Sequence, residues 1–248
     1  MARIRRVYKV GGPALEDPAL IAPLAKEIHE FEGDVALVHG GGRQVERLLK
    51  QLGIESKFIG GRRETSAAAM EVVEMVLSGT MNKALTAGLV HAGVAAAGVS
   101  GRDGGLIRAA LVPGLGQVGT PDRVNPDLLE ALWAAKFIPV ISPVSSGRLG
   151  EAVNVNADEA AQWIAREIEA ETLVFLSDVD GVILDGAPVT HLNETRIEAR
   201  TADGAIHGGM AMKVRMALDA ARSGIPAVVI AGSARLCGGF PGTEISIK

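Results

Sequence analysis

The chain has 248 residues, 48% of them hydrophobic and 22% charged, which is enough apolar material for a sizeable core and excludes a disordered chain. Lys and Arg number 25 against 29 Asp and Glu, a net charge of −4, and the aromatics are five Phe, two Trp and one Tyr, so neither a broadly basic nor a base-stacking nucleic-acid surface is expected. The single cysteine, Cys237, excludes an intramolecular disulfide; no apolar run nears the roughly 20 residues of a membrane span, and Arg3, Arg5 and Arg6 precede no apolar leader, so a soluble cytoplasmic protein is expected.

Residues 4–10 predict a first strand, ending in Lys9-Val10-Gly11-Gly12. A helix is expected over 17–32. A strand over 34–39 then closes on His39-Gly40-Gly41-Gly42, and a helix over 42–52 follows at once. A long helical stretch covers 65–91. Met70, Val73, Val76 and Leu77 share one side of it, which suits either core packing or a dimer face. Residues 94–99 predict a strand. Runs at 106–112 and 117–120 predict a hairpin around a glycine turn. Asn125-Pro126 reads as N-cap and first helical position of a helix over 126–136. A strand at 137–142 precedes a break at 145–151, taken as a soft boundary between lobes 1–150 and 151–248. Helices at 156–169, 194–203 and 209–223 then alternate with strands at 172–176 and 227–231. The strands lack polar alternation, as strands covered on both faces do. Their alternation with helices predicts an α/β fold, with a mainly parallel central sheet between two helical layers.

Glycine is in excess, 31 of 248 residues. Two glycine clusters sit at the ends of the first two strands, where α/β sheets bind ligands. Consecutive glycines let N–H groups converge on an anion, and a helix start adds its positive end. Gly114-Leu-Gly116-Gln-Val-Gly119 fits the dinucleotide fingerprint formally. It opens no helix, however, and lies between Pro113 and Pro121, so a hairpin turn is expected. There is no P-loop, no nucleophile elbow and no Cys/His metal spacing. Asn154-Val-Asn156-Ala-Asp158 opens a helix, so Asn156 and Asp158 could be caps. Ser177-Asp178-Val-Asp180-Gly181 follows a strand, and Gly208-Gly209 precedes Lys213 by about one helical turn.

Taken together these segments resemble the amino-acid kinase family, over nearly the whole chain. The resemblance rests on Lys9-Val-Gly-Gly12, His39-Gly-Gly-Gly42, Gly61-Arg62-Arg63-Glu64-Thr65, Met70-Glu-Val-Val-Glu with Asn82-Lys83, and Gly98-Val-Ser-Gly-Arg-Asp-Gly-Gly105. It continues through Val124-Asn-Pro-Asp, Asn154-Val-Asn-Ala-Asp158, Ser177-Asp178, Gly208-Gly-Met with Lys213, and Gly242-Thr243. It implies a three-layer α/β/α sandwich with two lobes and ATP-dependent phosphorylation of a side-chain carboxylate. The members most similar in these motifs act on N-acetylglutamate, in arginine biosynthesis.

The resemblance implies the following roles. Lys9 contacts the transferring phosphoryl group, with Gly11 and Gly12 donating N–H groups. Lys213 acts on ATP phosphates from the other lobe, and Asp158 holds both lysines. Gly41, Gly42, Arg63 and Asn154 bind the acceptor, with Arg63 pairing to its unreactive carboxylate. Ser177, Asp178 and Gly181, with the 205–209 loop and its Gly209, border the nucleotide. Mg²⁺ is held by phosphates and water, with no protein metal site. Around Arg63 the family pattern is G-L-R-V-T-D. Here Arg62, Glu64 and Ser66 replace Leu, Val and Asp. Arg62 and Glu64 could pair on a solvated loop, or reshape acceptor choice. A related branch phosphorylates α-aminoadipate or glutamate carried on an acidic amino-group carrier protein. Arg62 and Arg63 would suit such a partner, whereas the net charge and the 98–105 and 124–127 segments favour the free acetylated substrate. A metabolite sensor without catalysis would not need both lysines. Arginine-inhibited hexamers of the family carry a helix before the first strand. With a first strand near residue 4, a homodimer without that feedback is expected.

Overall fold

The structure, a computed structural model, describes residues 3–11, 19, 21–236, 238 and 241–248. Gly12 and Cys237 lie outside the described residues.

Strand β1 (Arg5–Val10) is joined to β2 (Asp34–His39) through α1 (Ile21–Glu30), which turns Leu24, Ala25 and Ile28 inward. The second glycine cluster runs directly into α2 (Gly42–Gln51). A short hairpin of β3 (Phe58–Ile59) and β4 (Arg62–Arg63) follows. The long helical stretch is three pieces: α3 (Ala67–Glu74), a π-helical segment Met75–Met81, and α4 (Asn82–His91). Ser66 caps α3, its hydroxyl accepting from the Ala69 N–H at 3.2 Å. Next come β5 (Ala96–Ser100), β6 (Ile107–Leu111), β7 (Val118–Val124), α5 (Asp127–Ala134) and β8 (Ile138–Ser142). α5 starts one residue later than expected: Pro126 is its N-cap and not its first helical residue, and Asn125, just before it, accepts from the Asp127 N–H at 3.2 Å.

The expected break at 145–151 is a hairpin instead. β9 (Val144–Ser146) pairs antiparallel with β10 (Ala152–Val155), and the Gly147 N–H closes the turn on the Glu151 carbonyl at 2.8 Å. Then follow α6 (Ala157–Glu167), β11 (Thr172–Leu176), a small hairpin of β12 (Val182–Leu184) and β13 (Ala187–Val189), and β14 (His191–Asn193). The chain ends through α7 (Glu194–Ala202), α8 (Gly208–Arg222), β15 (Ala227–Ala231), α9 (Ser233–Leu236) and β16 (Thr243–Ser246).

The main sheet has eight strands in the order β14-β16-β15-β11-β1-β2-β8-β5, parallel except where β16 meets β15. Its strands from before residue 150 lie on one side of the β1–β11 pairing and those from after it on the other. Alternate residues of each strand serve opposite faces. Val7, Val38 and Leu173 pack with Trp133 of α5, Ile164 of α6 and Leu218 of α8. Tyr8, Leu37 and Val174 pack with Leu24 of α1 and Leu89 of α4. This is the three-layer α/β/α sandwich that the alternation predicted.

Beside it, β6, β7, β9 and β10 close into a small barrel. The fingerprint-like glycine segment is the β6–β7 turn, as expected, with Val112 N–H bonded to the Val118 carbonyl at 2.8 Å. That turn also has a docking role. Gly116 (φ +69°) abuts the Thr65 carbonyl, where any side chain would collide, and the Gln117 N–H bonds that carbonyl at 2.7 Å. Of the two readings of Met70, Val73, Val76 and Leu77, core packing holds and the dimer face does not. All four are buried within the chain itself, against Val45 and Leu49 of α2. Among the described residues no helix is long and apolar enough to cross a membrane.

Candidate active site

The C-terminal ends of β1, β2 and β11 lie side by side, with Lys9 level with Val38 on one neighbour and Phe175 on the other. Lys9 Nζ reaches across to Asp158 Oδ1 at 2.8 Å. Asp158 is fixed in turn at the start of α6. Asn156 Oδ1 caps that helix, accepting from the Asp158 N–H at 2.7 Å and the Glu159 N–H at 3.3 Å. The lysine folds back over Gly11, where a Cβ would collide with Nζ. Two cavities, of about 240 and 370 Å³, meet here and share Lys9, Gly11 and Asp158.

The smaller cavity is bounded by Gly40, Gly41 and Gly42, by Arg63, and by Asn154 on β10. Gly41 has φ +150°, and a Cβ there would lie 2.7 Å from Leu77 Cδ2, so glycine is required on two counts. No side chain caps α2 at Gly41, and the positive end of this helix faces the cavity. His39 fixes the entry to this turn. It is fully buried, with Nδ1 2.9 Å from the Gly40 carbonyl and Nε2 3.1 Å from Asn82 Nδ2. The geometry assigns the tautomer: Nδ1–H donates to the carbonyl, and Nε2 accepts from the amide. Burial lowers its pKa to about 4, which keeps the ring neutral.

Arg63 is also buried. Its guanidinium stacks on Phe58 at 4.5 Å and donates to Glu46, to Ser56 Oγ at 2.9 Å and to the Gly42 carbonyl at 3.4 Å. Five N–H donors serve these three bonds, so the fork keeps capacity for a carboxylate. Thr65 accepts from Asn154 Nδ2 at 3.0 Å and donates to the Arg63 carbonyl at 2.8 Å, joining the two acceptor-side residues.

The larger cavity carries the second lysine. Lys213 Nζ donates to Asp178 Oδ1 at 2.7 Å and to Ser177 Oγ at 2.5 Å, with Gly209 one turn before it on α8. The lysine's hydrogen bond, then that of Ser177, hold the Asp178 carboxyl down at about 2. Apolar walls of Phe175, Met216 and Ile230 line the rest.

Lys9, Gly11, Gly41, Gly42, Arg63, Asn154, Asp158, Ser177, Asp178, Gly209 and Lys213 therefore all border one of the two joined cavities. Gly12 lies outside the described residues. Gly181 is buried at the entry to β12 and lines neither cavity. Asp158 does not hold both lysines. It pairs with Lys9, while Lys213 lies within reach of the nearer carboxylate at the end of β11. Arg62 does not pair with Glu64. It bonds Glu159 at 2.6 Å and Thr120 Oγ1 at 2.8 Å, because β4 faces α6 and the barrel. Sequence reasoning missed Glu46 and Glu159, and gave Thr65 a place in a motif but no role. Glu46 sits four residues after Gly42, on the same side of α2, which is the one local signal for it.

The model of the amino acid kinase family matches residues 5–231. The chain belongs to that family. Among curated members it is 45% identical to the acetylglutamate kinase of Rubrobacter xylanophilus, over 96% of this chain and 94% of that one. It is 43% identical to the acetylglutamate kinase of Geobacillus thermodenitrificans, over 90% and 88%. The crystal structure of smu.665 from Streptococcus mutans UA159 superposes with a TM-score of 0.85 over 98% of this chain and 99% of that one. At 23% identity, that likeness is one of fold.

Proposed function

We infer that the chain transfers the γ-phosphoryl group of ATP to the side-chain carboxylate of N-acetyl-L-glutamate, giving an acyl phosphate in arginine biosynthesis. One observation carries this reading. Two cavities, one lined by Arg63 and the Gly40–Gly42 turn and the other by Lys213, meet at the Lys9–Asp158 pair. Identity of 45% and 43% to two acetylglutamate kinases, over 96% and 90% of this chain, supports it.

The chemistry suits these parts. A carboxylate is ionised at pH 7, so no general base is required. One of its oxygens attacks the γ-phosphorus, the bond to the β–γ bridging oxygen breaks, and ADP leaves with that electron pair. The obstacle is the approach of two anions, and fixed cations and N–H groups lower it. In this reading Arg63 and Asn154 orient the acceptor, and Lys9 and Gly11 meet the phosphoryl group in transit. Lys213, beside Ser177 and Asp178, balances charge on the leaving ADP. Residues 1–150 then form the acceptor lobe and 151–248 the nucleotide lobe. Among the described residues no three His, Cys, Asp or Glu gather to hold a metal. A Mg²⁺ ion would enter on the triphosphate, where it would neutralise phosphate oxygens. The reaction is assigned to the cytoplasm, as the sequence suggests.

Turnover of free N-acetylglutamate, free α-aminoadipate and a carrier-bound acceptor in a coupled ADP-release assay tests the assignment. The first is expected to be the substrate, and activity confined to the carrier-bound form would overturn it. Arg62 supports the free substrate, since its charge is committed inward to Glu159 and not to a basic rim. We also propose a homodimer. It would use the outward side of the 67–81 segment, where Glu71 and Met75 are exposed. Gel filtration should then show elution near twice the 25.7 kDa chain mass.

A further inference from the structure

Arg62 joins three parts of the molecule that are distant in sequence. It belongs to β4, next to Arg63, and so moves with the hairpin that roofs the acceptor cavity. Its Nη2 donates to Glu159 on the first turn of α6, one residue after Asp158, and its Nη1 donates to Thr120 on the barrel strand β7. The turn of the same hairpin also comes near the nucleotide side, since a Cβ added at Gly61 would lie 3.7 Å from Met212 Cε of α8. Glu159 has one oxygen on Arg62, while the other, Oε2, is buried without a hydrogen-bond partner among the described residues. That carboxylate depends on Arg62 for its support, and burial already pushes it towards the neutral form. Both side chains are about one-quarter exposed, at 26% and 25%. This pair is therefore shielded far better than an ordinary surface ion pair.

We propose that the Arg62–Glu159 pair is a latch. It seats the β3–β4 hairpin on the start of α6 and thereby fixes Arg63 at a set distance from Lys9 and Asp158. Arg62 borders the acceptor cavity, but its two terminal nitrogens are committed to Glu159 and Thr120, so its role here is that of a positioning residue. The inference deepens the reading given above, and rests on it for the identity of the acceptor. The latch itself is a statement about the free protein. A hairpin held this way presents Arg63 ready-made, so the acceptor does not have to order it on binding. The same bond ties acceptor recognition to the helix that carries Asp158. Loosening it should weaken acceptor binding and reduce the mutual benefit that acceptor and nucleotide gain from each other.

Three variants test this: Arg62→Leu, which keeps bulk without charge; Glu159→Gln, which keeps shape without charge; and the exchange Arg62→Glu with Glu159→Arg. In the free protein, amide exchange over residues 58–63 should accelerate by about tenfold in the two single variants, the scale of a lost charge-assisted hydrogen bond. KM for the acceptor should rise by about tenfold, with kcat within about threefold. Combining Arg62→Leu with Glu159→Gln should cost no more than either alone, and the charge exchange should recover part of the loss. Unchanged hairpin exchange in both single variants, or fully additive effects on KM, would overturn the latch. The function is judged separately. If the unaltered protein phosphorylates none of the acceptors, the functional reading fails while the exchange measurement still decides the latch.

Discussion

The two cavities hold their cations in opposite ways. On the acceptor side Arg63 is buried, stacked on Phe58 and bonded to Glu46, Ser56 and a backbone carbonyl. The glycine turn beside it is set by sterics at Gly41 and by neutral His39 behind it. On the nucleotide side Lys213 is 37% exposed and its partner Asp178 49%, and their bonds come from groups at a strand end. A site that must recognise the shape of one small acid benefits from parts that cannot move. A site that must follow charge from ATP to ADP benefits from an ammonium that can change partners at small cost. Lys9 stands between, braced by Asp158 on one side and facing both cavities.

The comparison breaks first at its midpoint. Lys9→Ala should lower kcat by roughly 10²–10³-fold with the fold intact, the cost of removing one aimed donor from a developing charge. Full turnover in this variant, measured by ADP release, would remove the proposed centre. Stability against pH sharpens the acceptor side next. His39 has a folded pKa of about 4, below its unfolded value near 6.5. Between those values the unfolded chain binds the extra proton. The stabilisation is thus whole above about pH 6.5 and declines towards pH 4, by at most about 3 kcal/mol. Urea unfolding from pH 7 to 4 should show that slope, and His39→Gln should flatten it.

Arg63→Lys follows, with KM for the acceptor raised by about tenfold and KM for ATP unchanged, because an ammonium cannot replace the planar fork. Equal shifts in both constants would erase the distinction between the cavities. The smallest effect belongs to the open side. Asp178→Asn should change unfolding free energy by less than about 0.5 kcal/mol, since the pair is largely solvated. A larger loss would show that the nucleotide side is as rigid as its neighbour.

The same contrast explains what could be read from the sequence. Strands 34–39, 172–176 and 227–231 are legible to the residue. They are covered on both faces, and their unbroken apolar runs say so. The β9–β10 hairpin was not legible, because β10 draws its order from parallel pairing with β7, some 36 residues earlier. Asn154↔Val118 and Val155↔Gly119 leave no local mark. Strands β3 and β4 are two residues each, too short for any periodicity. In the site, Lys9 and the glycines beside it announced themselves by standing at strand ends, and Lys213 by the glycines that open its helix. Glu46 and Glu159 did not, since a carboxylate on a helix is ordinary until the fold brings an arginine to it. The side of 67–81 that packs inward carried an apolar stripe equally fit for a partner, and only burial against α2 decides between the two.

Gly11 has a consequence for separating recognition from turnover. Its missing side chain is the space into which the Lys9 ammonium folds. A single methyl there would evict that charge while touching neither Arg63 nor Lys213. Gly11→Ala should therefore yield a protein that still takes up both partners but stalls with them side by side, a trap for the ternary complex made by adding one carbon.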